Sequence, residues 1–445
     1  MDSDSFDVVG ESTPMAETEA ASPVTLTNGF HQREIRRLRN SVSFRLGVLI
    51  TDVVKRPWML LILPLAVIHL FYCVGMERLG KRPPPNQSGG RESEKSSRKD
   101  CIVLFPTNGV GFGHFTRMYA LAKRWKKQSP STEIVFFTTM PTLHLLYNEG
   151  FVTYHLAGRK KYKDVSASQW NTMVEEQLLL VFAQHKPSLF IFDGAYPYRG
   201  MLNAVRGHEG LNKIWLRRGT FKKGTNIPVD SIEHFDLLVR PEDSIPMKAG
   251  CIEHSVRTVT VPPIVLLDDE DLMSKDDARK RLGLPLGNKV VYVQLGAGRI
   301  NDINSEVSLT IEALLSHPNI TVVLGESMLG ERFSIDLDNV ILLRDYPNSI
   351  YFKSFDATVQ AGGYNSYHEV RKFGLPTIFY PNMETGMDDQ LARCKQSEQE
   401  GWGLVIEKRT KQEIIKAVEY ILKMKRNTVP QEINGAHVLY NELNK

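Results

Sequence analysis

The order of strand-like and helix-like segments predicts an α/β chain built from two successive halves, each a doubly wound parallel sheet with helices on both faces. Three observations carry that reading. Short apolar runs such as CIVLFP (101–106), PSLFIFD (187–193) and KVVYVQL (289–295) have the length and composition of strands buried on both sides. Segments of helical spacing alternate with them. An acidic stretch after Val261-Pro262-Pro263, LLDDEDLMSKDDARKRLGLP, interrupts the alternation and reads as a linker, with Ser274 as the N-cap of a short helix.

Ahead of these halves the composition changes twice. Residues 1–57 are first rich in Ser, Thr, Glu and Asp, the signature of a disordered tail, and then basic. The run 58–76, WMLLILPLAVIHLFYCVGM, holds nineteen uncharged residues. At about 1.5 Å per residue it has the length of a bilayer's hydrocarbon core, so a single transmembrane helix is expected. Trp58 and Tyr72 would lie toward the interfaces. Five basic residues flank each side (Arg37, Arg39, Arg45, Lys55, Arg56 and Arg78, Lys81, Arg82, Arg91, Lys95), so the positive-inside rule sets no orientation. Residues 77–100, with GKRPPPNQSGGRESEKSSRKD at 80–100, read as a flexible stem.

The first half, residues 101–262, opens with CIVLFP, the glycine-rich TNGVGFGHFTR and the helix MYALAKRWKK. Strands are expected at 133–138, 151–156, 187–193, 213–216 and 237–239, and helices at 141–147 and 170–185. After a linker at 263–287, the second half, residues 288–445, has strands expected at 289–295, 320–324, 340–344, 357–360 and 377–380. Helices are expected at 306–316 and 410–425.

The stretch VQAGGYNSYHEVRKFGLPTIFYPNMETGMDDQLA, residues 359–392, organises this second half. A strand meets Gly362-Gly363, then Asn365-Ser366 and a helix carrying Glu369. The first amides of such a helix lack intrahelical partners and its dipole is positive there, so a phosphate is the natural occupant. The glycines let the backbone approach it, and Glu369, one turn further in, is in reach of an attached ribose. Gly374-Leu375-Pro376 ends the helix, and the loop after the next strand delivers Asp388, Asp389 and Gln390.

This run resembles the donor-binding signature of nucleotide-sugar glycosyltransferases of the two-Rossmann-domain class, GT-B. That class includes the small-molecule UDP-glycosyltransferases and the bacterial peptidoglycan N-acetylglucosaminyltransferase type. Gly363, Tyr364, Asn365, Ser366, Glu369, Asp389 and Gln390 match in order, while Ala361 stands where the first family opens with histidine. The resemblance implies two lobes facing across a cleft, a UDP-sugar donor, and Glu369 on the ribose hydroxyls. Asp389 and Gln390 would hold the donor sugar. Gly362, Gly363, Asn365 and Ser366 would hold the diphosphate, with Gly298 and Arg299 from the loop opening the donor lobe. Asp345 and Tyr346 would frame the base. The layout of tail, single span, stem and catalytic unit resembles Golgi type II glycosyltransferases, which implies a Golgi or endoplasmic reticulum membrane; a cytosolic-facing anchor is the alternative.

Transfer to an acceptor hydroxyl requires a base, and inversion by one in-line displacement requires only one. His114 ends the first glycine-rich loop, and Asp193 ends a later strand of the same half, so both could project into one cleft. In the UDP-glycosyltransferases a histidine and an aspartate at such places form the catalytic pair, in the manner of a triad. The expected activity is therefore transfer of N-acetylglucosamine or another hexose from a UDP-sugar, with a His114/Asp193 base. The acceptor would be a glycan, a lipid-linked compound or a small molecule. The basic groups Arg159, Lys160, Lys161, Lys163 and Arg217-Arg218 suggest an acidic acceptor, ordinary surface charge being the bland alternative. Rival readings are a sugar-nucleotide epimerase of the same fold and a membrane scaffold with a degenerate transferase domain.

Other classes are disfavoured. The balance of 55 basic against 51 acidic residues, net +4, argues against nucleic acid without a local basic stripe. Gly109, Gly111 and Gly113 fail the dinucleotide spacing, which needs glycine where His114 stands. Four scattered cysteines indicate neither zinc nor a disulfide framework. The triplets Asp269-Glu270-Asp271 and Asp336-Leu337-Asp338 lie in linker and loop, so no essential metal and no separate cofactor are expected.

Overall fold

A computed structural model describes residues 38–79, 81, 98–107, 111–206, 208, 210–218, 229–246, 256–296, 303–328, 332–383, 385, 388–426 and 433–444. The chain divides into two compact units, 1–93 and 94–445.

The first unit contains an antiparallel pair of helices, Val42–Lys55 and Leu63–Arg78, joined by a 3-10 turn at Pro57–Leu61. Ser41 caps the first helix, and Arg45 and Glu77 pair at 3.0 Å where the first helix begins and the second ends. The expected transmembrane helix at 58–76 is not formed. Pro64 sits in the first turn of the second helix, where its missing N–H is tolerated, so the apolar run divides there instead of continuing from Trp58. Among the described residues no helix is long and apolar enough to cross a membrane.

The second unit holds two fully parallel sheets. The first has seven strands: β1 (Arg98–Pro106), β2 (Glu133–Thr138), β3 (Val152–His155), β4 (Pro187–Asp193), β5 (Asn212–Leu216), β6 (Leu237–Pro241) and β7 (Thr258–Val261). Their order is β3-β2-β1-β4-β5-β6-β7. The second sheet has six: β8 (Lys289–Gln294), β9 (Ile320–Gly325), β10 (Val340–Leu343), β11 (Ala357–Ala361), β12 (Thr377–Tyr380) and β13 (Gly403–Val405), in the order β10-β9-β8-β11-β12-β13. Each sheet grows outward in both directions from a central pair, β1/β4 and β8/β11, where the strand order reverses. Ligands of open α/β sheets bind beyond the carboxyl ends of such pairs.

Strand composition explains the layering. Along β1, Ile102 and Leu104 face one side with Phe115, Met118 and Leu121 of the helix Gly113–Gln128. Val103 and Phe105 face the other, against Trp170, Val174 and Leu178 of the helix Ala167–His185. Phe105 lies edge-on to Phe137 and Phe192, at ring separations of 4.9 and 5.6 Å. In the second sheet Val291 and Val293 pack on Ile311 and Leu314 of the helix Ile303–Leu315.

Several elements of the second unit go beyond the sequence expectation, among them the helices Arg199–Val205 and Gln390–Gln399. The strands β7 and β13 extend the two sheets at their edges, and a helix, Gly435–Leu443, follows residues 427–432. The sequence reading placed 435–443 with the second half, yet this helix packs on the first lobe. Trp125 meets Tyr440 edge-on at 5.1 Å, and His437 Nε2 lies 2.8 Å from Asp268 of the linker. Gly435 permits the approach, since a Cβ there would lie 1.9 Å from the Pro262 carbonyl oxygen.

Gly435→Ala is accordingly expected to destabilise the protein by about 1–3 kcal/mol. Gly158→Ala, whose added methyl meets nothing within 4 Å, should stay within about 0.5 kcal/mol of the parent. Urea unfolding of the two variants measures the difference.

Candidate active site

The carboxyl ends of both central strand pairs open onto one cavity of about 470 Å³, lined by residues of both lobes. That volume falls in the range of ligand pockets, about 300–1,000 Å³. From the first lobe come Gly111, Phe112, Gly113, Thr116, Arg117 and Arg218. The second lobe supplies the turn Gly363–Ser366, then Glu369, Asp388 and Gln390, with Asp345 and Tyr346 on the other side.

On the first-lobe side, β1 and β4 run in register with Pro106 opposite Asp193. The amide of Thr107 donates to the Asp193 carbonyl at 2.9 Å, which ties the loop leaving β1 to the end of β4. His114 stands in the first turn of the next helix, and its Nδ1 lies 2.7 Å from Asp193 Oδ1. The Asp193 side chain is 1% exposed and the His114 side chain 23%. Arg117, one turn along the same helix, donates from Nε to Oδ2 at 2.9 Å and from Nη2 to Oδ1 at 2.8 Å. Burial alone would push the Asp193 carboxyl up, but Arg117 and His114 together hold it below the usual carboxylate range. For His114, burial lowers the imidazole below its ordinary value against the opposing pull of Asp193, and Arg117 and Arg218 add to the lowering. The ring is thus held neutral near physiological pH. The same Nδ1 also lies 2.9 Å from Arg117 Nη2; in the tautomer whose Nδ1–H points to Asp193, Nε2 carries the ring's lone pair.

On the second-lobe side, Gly363 is the N-cap of the helix Tyr364–Lys372 and adopts extended backbone there. Gly362 is required by close packing, because a Cβ would lie 2.3 Å from Cys394 Sγ. The side-chain oxygens Asn365 Oδ1 and Gln360 Oε1 are buried at this wall and accept no hydrogen bond among the described residues. Buried acceptors left so are costly, and a donor-bearing ligand would satisfy them. Glu369 is approached by Ser349 Oγ at 3.4 Å, and burial pushes its carboxyl up to about 7. Tyr346 stacks on Phe112 with ring centres 4.9 Å apart and shares a 2.7 Å hydrogen bond with Thr116, joining the lobes at the cavity's edge.

The acidic loop differs from expectation by one residue. Asp389 accepts from the amide of Ala392 and caps the helix Gln390–Gln399, while Asp388 lines the cavity. Gln390 also lines it and accepts from the Asn382 amide at 3.0 Å. Gly298 and Arg299 lie outside the described residues. Of the basic groups, Arg218 lines the cavity with its guanidinium 4.7 Å from the Tyr364 ring centre and 3.3 Å from Asp388. Arg217 is buried over Trp215, and Arg159 to Lys161 form an exposed turn elsewhere. The carboxylates of both Asp-x-Asp triplets are exposed and absent from the cavity wall.

Sequence reasoning missed a buried ionic cluster behind Tyr364. Arg393, fully buried, donates to Asp243 of the first lobe from Nε at 2.8 Å and Nη2 at 2.6 Å. It also donates to Asp388 at 2.5 Å and to the Gly362 carbonyl at 2.9 Å. Asp243 further lies 3.3 Å from His368. The partners Arg393 and Asp243 are 150 residues apart, so no local pattern announces the pair.

No family model matches the sequence, and neither does any curated protein. Solved structures do match in fold. The glycotransferase of kitacinnamycin superposes with a TM-score of 0.52 at 14% identity, over 77% of this chain and 94% of that one. Spinosyn forosaminyltransferase gives 0.52 at 11%, over 78% and 95%. The calicheamicin glycosyltransferase CalG4 gives 0.51 at 15%, over 74% and 91%. The chain thus has the two-lobed GT-B fold that the sequence resemblance implies.

Glu369 supplies a test of the cavity's electrostatics in the free protein. A carboxyl whose proton is held to about 7 when folded, against 4.5 otherwise, favours the fold fully below the lower value. That contribution is lost as pH rises through the upper one. Glu369→Gln, always neutral, is therefore expected to exceed the parent's stability by about 3 kcal/mol near pH 8, at 1.36 kcal/mol per pKa unit. The advantage should fade toward pH 4. Urea unfolding across this range would contradict it by returning a pH-independent difference.

Proposed function

We propose that the chain is an inverting glycosyltransferase that moves a hexose, N-acetylglucosamine or another, from a UDP-sugar to an acceptor hydroxyl. One observation carries the reading: a single cavity joins an amide-lined helix N-terminus and the Glu369 carboxylate in one lobe to Gly113 and Arg117 of the other, which flank the His114–Asp193 pair just behind its wall.

In this reading the donor's diphosphate sits on the amides of Gly363 to Ser366, where the helix dipole and orphan N–H groups favour an anion. Glu369 accepts from the ribose hydroxyls, which replace the water it lacks when buried. Asp388 and Gln390, both at the wall, take the donor-sugar role that the resemblance assigns to Asp389 and Gln390. Nε2 of His114 removes the acceptor hydroxyl proton as that oxygen attacks the anomeric carbon. The bond from this carbon to the diphosphate oxygen breaks, and UDP leaves with the electron pair. Asp193 stabilises the imidazolium that forms, and Arg218, at the cavity wall, offsets charge on the departing diphosphate.

Arg117 gives the pair its working range. A cation held on Asp193 reduces the pull of that carboxylate on the imidazole proton, so His114 stays an available base at lower pH.

Three substitutions separate these roles. His114→Ala should lower kcat about 10²–10⁴-fold with little change in UDP affinity. Glu369→Ala should weaken UDP binding about 10–100-fold, the worth of hydrogen bonds to a charged group. Initial rates with a panel of nucleotide sugars and titration calorimetry with UDP measure both. Epimerised donor in place of a transferred sugar would overturn the transferase reading. Arg117→Met should move the acidic limb of the pH–rate profile to higher pH, because the imidazole then answers to an unshared carboxylate. An unmoved limb would contradict the role given to Arg117.

A further inference from the structure

We propose that the helical pair of the first unit is a membrane-binding element that inserts into one leaflet of an anionic lipid bilayer without crossing it. This goes beyond the transfer reaction and holds independently of it.

The pair exposes large apolar side chains on both helices and at their junction. Val54, Trp58, Leu61, Leu65, Ile68 and Phe71 are 76, 63, 87, 67, 65 and 56% exposed. So many large apolar side chains exposed on one short element mark an interaction site. Three features favour lipid over a protein groove. The exposed groups spread over two helices and the connecting turn, whereas a partner groove covers one face of a helix. Basic residues stand at both ends of the pair: exposed Arg39 and Lys81 at the open end, Lys55 and Arg56 at the turn. Against these four stand two acidic residues, Asp52 near the turn and Glu77, the latter paired with Arg45. The rim is therefore positive, complementary to anionic headgroups. Trp58, next to that basic turn, is an aromatic suited to the headgroup boundary.

Geometry sets the depth. The helices have 14 and 16 residues, about 21 and 24 Å at 1.5 Å per residue, against a hydrocarbon core of about 30 Å. The Arg45–Glu77 pair makes them antiparallel, so the chain leaves the element on the side it entered. An inserted pair returns to the same leaflet.

Flotation of the full-length chain with sealed vesicles tests the proposal, using phosphatidylcholine alone and an equimolar mixture with phosphatidylserine. Binding is expected to the mixed vesicles, with weaker binding to the neutral ones. The triple variant Leu61→Glu, Leu65→Glu, Phe71→Glu should lose at least about tenfold in binding. Its second unit should unfold at an unchanged temperature. Single cysteines introduced by Leu38→Cys or Lys81→Cys, with Cys251→Ser and the buried Cys73, Cys101 and Cys394 retained, report topology. Both should react with an impermeant maleimide added outside. Protection of one alone means the element crosses the bilayer and overturns the one-leaflet proposal. Failure of the parent to float overturns it as well. So does a parent dimer in solution that the triple variant dissolves, because a second copy then covers the face.

Discussion

The geometry of the site depends on one buried guanidinium. Arg393 reaches back from the helix Gln390–Gln399 to Asp243 of the first lobe, to Asp388 of its own lobe, and to the carbonyl of Gly362. Burial pulls its pKa down, but Asp388 and Asp243 outweigh this and raise it above the ordinary arginine value. Asp243 is held below the usual carboxylate range by His368 and Arg393 in spite of its own burial. Such a cluster is weak evidence for stability, because desolvation offsets much of the attraction. Its consequence is registration. Each partner must sit where the others can satisfy it, which fixes the glycine turn, Asp388 and the first-lobe segment after β6 relative to one another.

The same logic governs the His114–Asp193 pair. Asp193 is shared between Arg117 and His114, so the pair is not an isolated carboxylate and imidazole but a three-membered group with one anion, one cation and one neutral ring. Across the cleft Tyr364 has three guanidinium groups within 5.7 Å of its ring centre, those of Arg117, Arg218 and Arg393, and their charges are matched by Asp193, Asp243 and Asp388. The wall behind the site is close to neutral. Arg218 has the loosest of these pairings, 3.3 Å to Asp388, and so the guanidinium freest to take up a further anion in the proposed reaction.

Much of this was legible in the sequence because parallel strands buried on both faces read as unbroken apolar runs. CIVLFP, PSLFIFD and KVVYVQL are β1, β4 and β8, and the glycine-rich turns follow where the strand order reverses. His114 and Asp193 could be paired from the sequence because one follows the glycine-rich loop after β1 and the other ends β4, two strands that the fold sets side by side. The choice between Asp388 and Asp389 was not legible, since adjacent carboxylates differ only in which one the following helix takes as its cap. Arg117, Arg393 and Asp243 left no signal, because pairs separated by 76 and 150 positions have no local spacing. The run 58–76 misled because a composition that suits a spanning helix does not reveal that Pro64 starts a new one.

The central claim is that a nucleoside diphosphate rests on the backbone amides of Gly363 to Ser366. Hydrogen exchange of those amides with and without saturating UDP tests it most directly. Slowed exchange confined to that turn and the walls facing it is the result expected. UDP binding that leaves those amides exchanging at their free rate would contradict the account.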